Sequence, residues 1–194
     1  MNQNPKMQKG LRAIRLDASD TFVFETAAGA GEWLVSGAFV FWDQDVRSLV
    51  GRNRQSFRSG FLGVSSFGRS TLAVVVEQTD AERDAATASL SAYLVAAHGA
   101  PSLAEARAAA EEEIAFASSL AQHPLQTLIA VHRTVTPEGE IAEQFRTFHA
   151  ADARQATAMP CSAGAFAVVE DEQADESQSV DLAAMAAQHL VRAP

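Results

Sequence analysis

The segment TLAVVVEQTDAE, residues 71–82, joins the most strand-like run of the chain to the start of a helix. Residues 71–77 are rich in β-branched side chains, which suit a pleated surface. Thr79 and Glu82 have the spacing of a capping box, in which the hydroxyl and the carboxylate satisfy the free N–H groups at a helix N-terminus reciprocally. A strand followed by a capped helix indicates a fold that contains both α and β structure.

Two helices are predicted after this strand. The first ends at His98 and Gly99, and the second begins with another capping box at Ser102 and Glu105 and stops before Pro124. The short link between them favours an antiparallel helical hairpin. Its many alanines allow a close approach to the surface on which the hairpin packs.

Strand patterns lie on both sides of these helices. We expect a β-hairpin of residues 125–135 and 141–148, in which Arg133 faces Glu143 and Val131 faces Phe145. Residues 43–56 are polar and predict a long loop, and residues 57–65 are expected to form a hairpin with residues 71–78. Further strands are predicted over residues 11–16, 21–26, 32–42 and 163–169. The expected fold is α+β: a largely antiparallel sheet of six to eight strands, with the alanine-rich hairpin on one face and a short C-terminal helix.

The 194 residues fit one α+β domain over residues 1–169, an acidic linker over residues 170–181 and a C-terminal docking helix over residues 182–194. The linker contains only acidic charges, which indicates either a solvated connection or a docking peptide for a basic partner. The helix is too short to be stable alone. It is expected to dock on the same chain or to form a homodimer.

Composition narrows the class of function. The net charge of −9 argues against a nucleic-acid partner, because phosphate binding needs a positive face. No apolar run is long enough to span a membrane, and the polar N-terminus does not match a secretory signal. The single cysteine, Cys161, is consistent with a reducing compartment. We therefore expect a soluble cytoplasmic protein.

Two glycine patterns resemble nucleotide sites. Residues 63–70, GVSSFGRS, match a phosphate loop except that Arg69 stands in the place of lysine. A phosphate loop leads into a helix, whereas residues 71–76 favour a strand, so we interpret this segment as a hairpin turn. Gly29 and Gly31 lack the third glycine of a dinucleotide fingerprint. No cofactor is expected.

Histidine and cysteine give weak signals. The five histidines lack the spacing of metal ligands, so no metal site is expected. His132, His149 and Cys161 form an alternative polar site if the fold brings them together. No catalytic residue is assigned.

Arginines are concentrated between residues 47 and 69, with aromatic residues and glycines among them. Because guanidinium groups bind carboxylates and phosphates in pairs, this region predicts a site for a small anion or a protein partner. The alternative is that these arginines form ion pairs on the surface. The candidate binding residues are Arg47, Arg52, Arg54, Arg58 and Arg69.

Residues 56–72, together with residues 11–17 and 39–43, resemble a small, functionally uncharacterised family of alphaproteobacterial proteins. The resemblance implies no catalytic residue. Through a gene neighbourhood of molybdenum-dependent formate dehydrogenase and its assembly factors, it implies an accessory role. We expect a non-catalytic binding or accessory protein. A small enzyme and a self-associating structural protein are the alternatives.

Overall fold

An antiparallel β-sheet organises the chain. The structure is a computed structural model that describes residues 7–150 and 166–167. Every pair of neighbouring strands is antiparallel, which confirms the predicted α+β class and sheet type. In order across the sheet, the strands are β4 (Arg69–Ser70), β3 (Phe61–Gly63), β2 (Trp33–Val35), β1 (Gln8–Ala13), β5 (Leu72–Gln78), β6 (Leu128–Val135), β7 (Ile141–Ala150) and β8 (Phe166–Ala167).

Four α-helices and one 3-10 helix accompany the sheet in the described ranges. They are α1 (Ser19–Val23), the 3-10 helix (Ala38–Phe41), α2 (Gly51–Ser59), α3 (Asp80–His98) and α4 (Leu103–Leu120). The capping box at Thr79 is present, and Gly99 ends α3 in the left-handed conformation with φ 66°. Helices α3 and α4 pack against each other, and α4 also contacts β1 and β2.

Alanines bring α4 close to its neighbours. Ala106, Ala110 and Ala117 are buried in the same core as Leu90 of α3 and Leu11 of β1. A small side chain at these positions lets the helix backbone approach, while Leu90 and Leu11 fill the space between helix and sheet.

The hairpin of β6 and β7 has the register that the sequence predicts. Arg133 pairs with Glu143, and Val131 pairs with Phe145. The N–H of Thr136 donates to the carbonyl of Glu140 at 2.9 Å and closes the turn.

The strand predicted over residues 21–26 is wrong, because α1 occupies the first half of this segment and no strand forms in the rest of it. Local side-chain bonds favour the helical turn: the N–H of Ser19 donates to Asp17, and the hydroxyl of Thr21 donates to the carbonyl of Ala18. Asp20 is buried and accepts a 2.6 Å bond from the hydroxyl of Thr71. These polar anchors outweigh the strand preference of the aromatic and β-branched residues.

The long central strand predicted over residues 32–42 is also wrong. The strand β2 stops at Val35, and Gly37 turns the chain with φ 74° into the 3-10 helix. A Cβ atom on Gly37 would lie 2.4 Å from Cβ of Leu62, so only glycine fits this turn without displacing β3.

Residues 43–56 are not a continuous loop, since α2 begins at Gly51. Its single buried side chain is Phe57, so the helix lacks the apolar stripe by which a helix is found in a sequence. The predicted hairpin is also wrong, because the strand within residues 57–65 does not pair with the strand within residues 71–78. Strand β3 pairs with β4, whereas β5 lies between β1 and β6.

Several expectations concern residues outside the described ranges. They are the acidic linker over residues 170–181, the C-terminal helix over residues 182–194 and most of the strand over residues 163–169, of which Phe166–Ala167 is described as β8. Within the described part of the chain, no helix combines the length and apolar character needed to cross a bilayer.

Candidate functional site: a pocket with a buried arginine

The five candidate arginines do not meet at one point. Arg52, Arg54 and Arg58 lie exposed on α2. Arg47 donates to the carbonyl of Thr136 at 3.1 Å and so ties its loop to the turn between β6 and β7. Arg69, on β4, is the exception among the five: it is buried and lines a pocket.

This pocket, which we call the Arg69 pocket, has a volume of about 250 Å³. Four segments contribute to it: the chain after α1, the 3-10 helix with the residues that follow it, α2, and the turn between β3 and β4. Apolar surface and neutral hydrogen-bonding groups are mixed in its wall, with one carboxylate among the described lining residues. The lining residues are Glu25, Thr26, Val40, Phe41, Gln44, Asn53, Ser56, Phe67 and Arg69.

The backbone fixes Arg69 firmly. Its N–H donates to the carbonyl of Thr26 at 2.8 Å, and its carbonyl accepts from the N–H of Ala28 at 2.8 Å. Gly60 makes room for the side chain, because a Cβ there would lie 3.2 Å from both Cβ and Cδ of Arg69. The position of the guanidinium is therefore built into the fold.

The guanidinium of Arg69 is not fully satisfied. The residue is 8% exposed, and Nη1 is buried without a hydrogen-bond partner among the described residues. The group lies over the ring of Phe41 at 5.0 Å from the centroid. Burial, and secondarily the charge of Arg133, lowers the pKa of Arg69 to about 10. That value is still well above neutral pH, so the side chain is a buried cation.

Arg133 on β6 is a contrasting arginine. It is completely buried, but each of its nitrogens donates: Nε to Glu143 at 2.7 Å, Nη1 to the carbonyls of Phe57 and Gly60 at 3.0 Å, and Nη2 to the carbonyl and hydroxyl oxygens of Ser36. These bonds hold the C-terminal end of α2 and the chain before β3 against β6. Arg133 is thus a structural cation that has no free donor for a ligand.

A half-buried glutamate, Glu113, lies near Arg133. Burial, and then the charge of Glu143, raises the pKa of Glu113 on α4 to about 7. Its Oε2 atom is buried without a hydrogen-bond partner among the described residues. Two carboxylates near one arginine cannot both be neutralised by it, so Glu113 retains its proton up to nearly neutral pH.

Aromatic residues support the pocket from behind. Phe67 adopts a left-handed backbone conformation with φ 54°, which is uncommon for a bulky side chain. Its ring lines the pocket and stacks on Tyr93 with a centroid distance of 3.8 Å. His98 contacts Tyr93 edge-on at 5.0 Å, and burial lowers the pKa of His98. The neutral imidazole of His98 therefore packs as a third ring beside Tyr93 and Phe67 and adds little charge near the pocket.

The turn that resembles a phosphate loop already holds an internal anion. The carboxylate of Glu32 accepts from the N–H of Ser65 at 2.6 Å, from the hydroxyl of Ser66 at 2.7 Å and from the N–H of Gly29 at 2.7 Å. Burial raises the pKa of Glu32, but these hydrogen bonds and that from the N–H of Ser66 outweigh it and lower the pKa overall. The backbone donors of residues 65 and 66 are therefore not open to a phosphate.

The alternative polar site of His132, His149 and Cys161 lies partly outside the described residues and stays a prediction. His132 lies half-buried on β6 opposite Gln144, and His149 lies near the end of β7. Cys161 is outside the described ranges. No group of three metal-ligating side chains occurs within residues 7–150 and 166–167.

Sequence reasoning found Arg69 but not its pocket. The other lining residues come from segments that the sequence predicts as strand or loop, so no local pattern in the sequence indicates that they meet at one pocket.

A family model described as a family of unknown function (DUF6505) matches residues 7–163, which include every element from β1 to β7. Comparisons with curated proteins and with solved structures each return no match.

Proposed function

This chain belongs to the family of unknown function DUF6505, and we propose that it is a non-catalytic binding protein whose Arg69 pocket takes a small organic anion. The observation that carries the proposal is the buried Nη1 of Arg69, which has no partner among the described residues and belongs to a side chain that lines a cavity. A buried charge without a partner is costly, and a protein retains one where it serves a ligand.

The donor chemistry selects the ligand class. A guanidinium binds carboxylates and phosphates through two parallel hydrogen bonds. Thr26, Asn53 and Ser56 add neutral groups that can bond to the remaining oxygens of such an anion. The ligand head is therefore a carboxylate or a phosphate.

The apolar wall selects the ligand body. Phe41 and Phe67 line the same cavity, and Phe67 is fixed by its stack on Tyr93. An apolar or planar group gains free energy by burial against these rings. A volume of about 250 Å³ restricts the body to a small group, such as one ring.

The test uses the intact chain and four probes: acetate, benzoate, inorganic phosphate and phenyl phosphate. We expect benzoate or phenyl phosphate to raise the thermal unfolding temperature in a saturable manner, and to do so more than acetate or phosphate at equal ionic strength. The substitution Arg69→Met removes the guanidinium while keeping the length of the side chain. It should abolish the shift.

Arg52→Met is the matched control, because it removes an exposed arginine of α2 that does not line the pocket. It should leave the shift unchanged. Calorimetric titration of the same probes separates binding from general salt effects on stability. The proposal is overturned if no probe binds, or if Arg69→Met and Arg52→Met reduce the shift equally.

A further inference from the structure

The most exposed apolar side chains of the described chain form what we call the apolar rim, which consists of Phe22, Trp42 and Val50. Val50 is 77% exposed, Phe22 72% and Trp42 71%, the three highest values among the large hydrophobic residues that the structure describes. A single exposed apolar residue is ordinary on a protein surface, whereas several in one region mark a site of interaction. These three residues meet that condition, because each lies beside the Arg69 pocket.

Each residue of the apolar rim is carried by a segment that forms the pocket wall or leads into it. Trp42 directly follows the lining residue Phe41, and Phe22 and Val50 each precede a lining residue by three positions. Helix α1, which contains Phe22, contacts α2, for which Val50 is the N-terminal cap residue. The ring of Trp42 packs edge-on to Phe39 of the 3-10 helix, with 6.4 Å between the ring centroids. The elements that build the pocket therefore also position the apolar rim.

Neutral hydrogen-bonding groups lie in the pocket wall, next to this apolar surface. Asn53 carries an amide, which has donors and an acceptor like a peptide bond, and Thr26 and Ser56 add hydroxyl groups. A hydrocarbon chain laid over these groups would remove them from water without a hydrogen bond, which costs free energy. A peptide backbone can bond to them while its side chains cover the apolar rim. The mixture of groups therefore fits a peptide better than a fatty acid.

Charges of both signs lie in the segments that carry the apolar rim. Glu25 and Asp43 are exposed acids, and Arg52 and Arg54 are exposed bases. An anionic membrane or a highly acidic peptide binds where positive charges cluster without acids, so neither matches this surface. The buried guanidinium of Arg69 in the pocket complements a single carboxylate. An apolar peptide carries such a carboxylate at its C-terminus.

We propose that the organic anion bound by the Arg69 pocket is the C-terminal residue of a partner protein whose last residues are apolar. The terminal carboxylate binds the guanidinium, the last side chain enters the pocket beside Phe41 and Phe67, and the preceding apolar residues cover the apolar rim. This inference rests on the proposed function, because it requires an anion site at Arg69.

The first test is calorimetric titration of the intact chain with benzoate and with acetylated tetrapeptides that have two leucines before a C-terminal phenylalanine, leucine or tryptophan. We expect at least one peptide to bind about tenfold more tightly than benzoate, because the apolar rim adds buried apolar area. Its C-terminal amide should bind about tenfold more weakly than the free acid, since the charge is lost.

The outcomes separate this inference from the proposed function. If benzoate binds and no acid peptide binds more tightly than benzoate or than its own amide, the inference is overturned and the anion site stands. If neither benzoate, phenyl phosphate nor any peptide binds, both fall. Tighter binding of decanoate than of every acid peptide would show a fatty acid as the occupant and would also overturn the inference.

The second test uses variants of the apolar rim. Phe22→Ser and Trp42→Ser should each weaken the acid peptide by about threefold to tenfold more than they weaken benzoate. Leu103→Ser is the matched control, because it removes an apolar side chain that is 64% exposed at the start of α4 and does not line the pocket. It should change the affinity for neither probe. Equal losses in the control and in the rim variants contradict the proposal.

Discussion

Arg133 and Glu143 face each other across β6 and β7, with Nε of the arginine 2.7 Å from Oε1 of the glutamate. The arginine is fully buried and the side chain of the glutamate is 16% exposed, so the pair lies largely out of water. The carbonyls of Phe57 and Gly60 depend on the same guanidinium. One side chain thus connects the hairpin to the segment that leads into the Arg69 pocket.

Replacing this arginine should destabilise the fold strongly. We expect Arg133→Met to lower the free energy of unfolding by about 3–5 kcal/mol, because it leaves Glu143 without its cation and carbonyls without donors. The measurement is urea unfolding at pH 7. Arg107→Met, which breaks the exposed pair with Glu111, should cost less than about 1 kcal/mol. Similar losses in both variants would contradict the structural role of Arg133.

The parts of the fold that the sequence predicts are those determined by near neighbours. The cap of α3 depends on Thr79 and Glu82, three residues apart. The β6–β7 register depends on a short turn and on opposed pairs such as Arg133 with Glu143. The interactions that determine the cap and the register lie within a few residues of each other, so both features can be predicted from the sequence.

The parts that the sequence does not predict depend on distant contacts. Asp20 anchors α1 to Thr71, across 51 positions. Gly37 ends β2 because of the approach of Leu62. The Arg69 pocket depends on both contacts, because the chain after α1 and the 3-10 helix form part of its wall. Composition identified the arginines, but only these long-range contacts decide which one is buried.

Glu113 gives a pH-dependent prediction. Burial raises its pKa from 4.5 to about 7, so the folded state holds the proton more tightly than the unfolded state. The contribution of this group to stability is therefore greatest below pH 4.5 and is lost as the pH rises towards 7. We expect Glu113→Gln to stabilise the protein at pH 8 by on the order of 2 kcal/mol, and by much less at pH 5.

Thermal or urea unfolding at the two pH values measures this effect. Glu112→Gln is the control, because it removes the adjacent exposed acid of α4. It should change stability little at either pH. A gain for Glu113→Gln that is the same at pH 5 and pH 8 would show that the carboxylate of Glu113 is not the titrating group.

Glu32 gives the opposite dependence. Its pKa is lowered because hydrogen bonds to Ser66, Gly29 and Ser65 outweigh the effect of burial. Its contribution is therefore present above the unfolded pKa and is lost as the pH falls through the lower folded pKa. We expect Glu32→Gln to reduce the free energy of unfolding by about 1–3 kcal/mol at pH 7, since a neutral amide accepts fewer and weaker bonds.

The loss should shrink under acid conditions, where the wild-type carboxylate is also protonated. Unfolding at pH 7 and pH 3 measures the difference, and Glu77→Gln, at an exposed position of β5, is the control. A penalty for Glu32→Gln that persists unchanged at pH 3 would indicate a packing effect. The turn of residues 63–68 would then not depend on the charge of Glu32.

Arg69 should behave in the opposite way to Arg133. Its Nη1 lacks a partner among the described residues, so removing the guanidinium breaks no bond at that atom and removes a buried charge that is repelled by Arg133. Arg69→Met keeps an apolar stem in the space beside Phe41. In the absence of ligand we therefore expect this variant to be as stable as wild type or more stable by up to about 2 kcal/mol.

Urea unfolding in a buffer without carboxylate or phosphate measures this difference in the free energy of unfolding, with Arg52→Met as the exposed control. A loss comparable to that of Arg133→Met would place Arg69 among the structural cations and would remove the main support for an anion site.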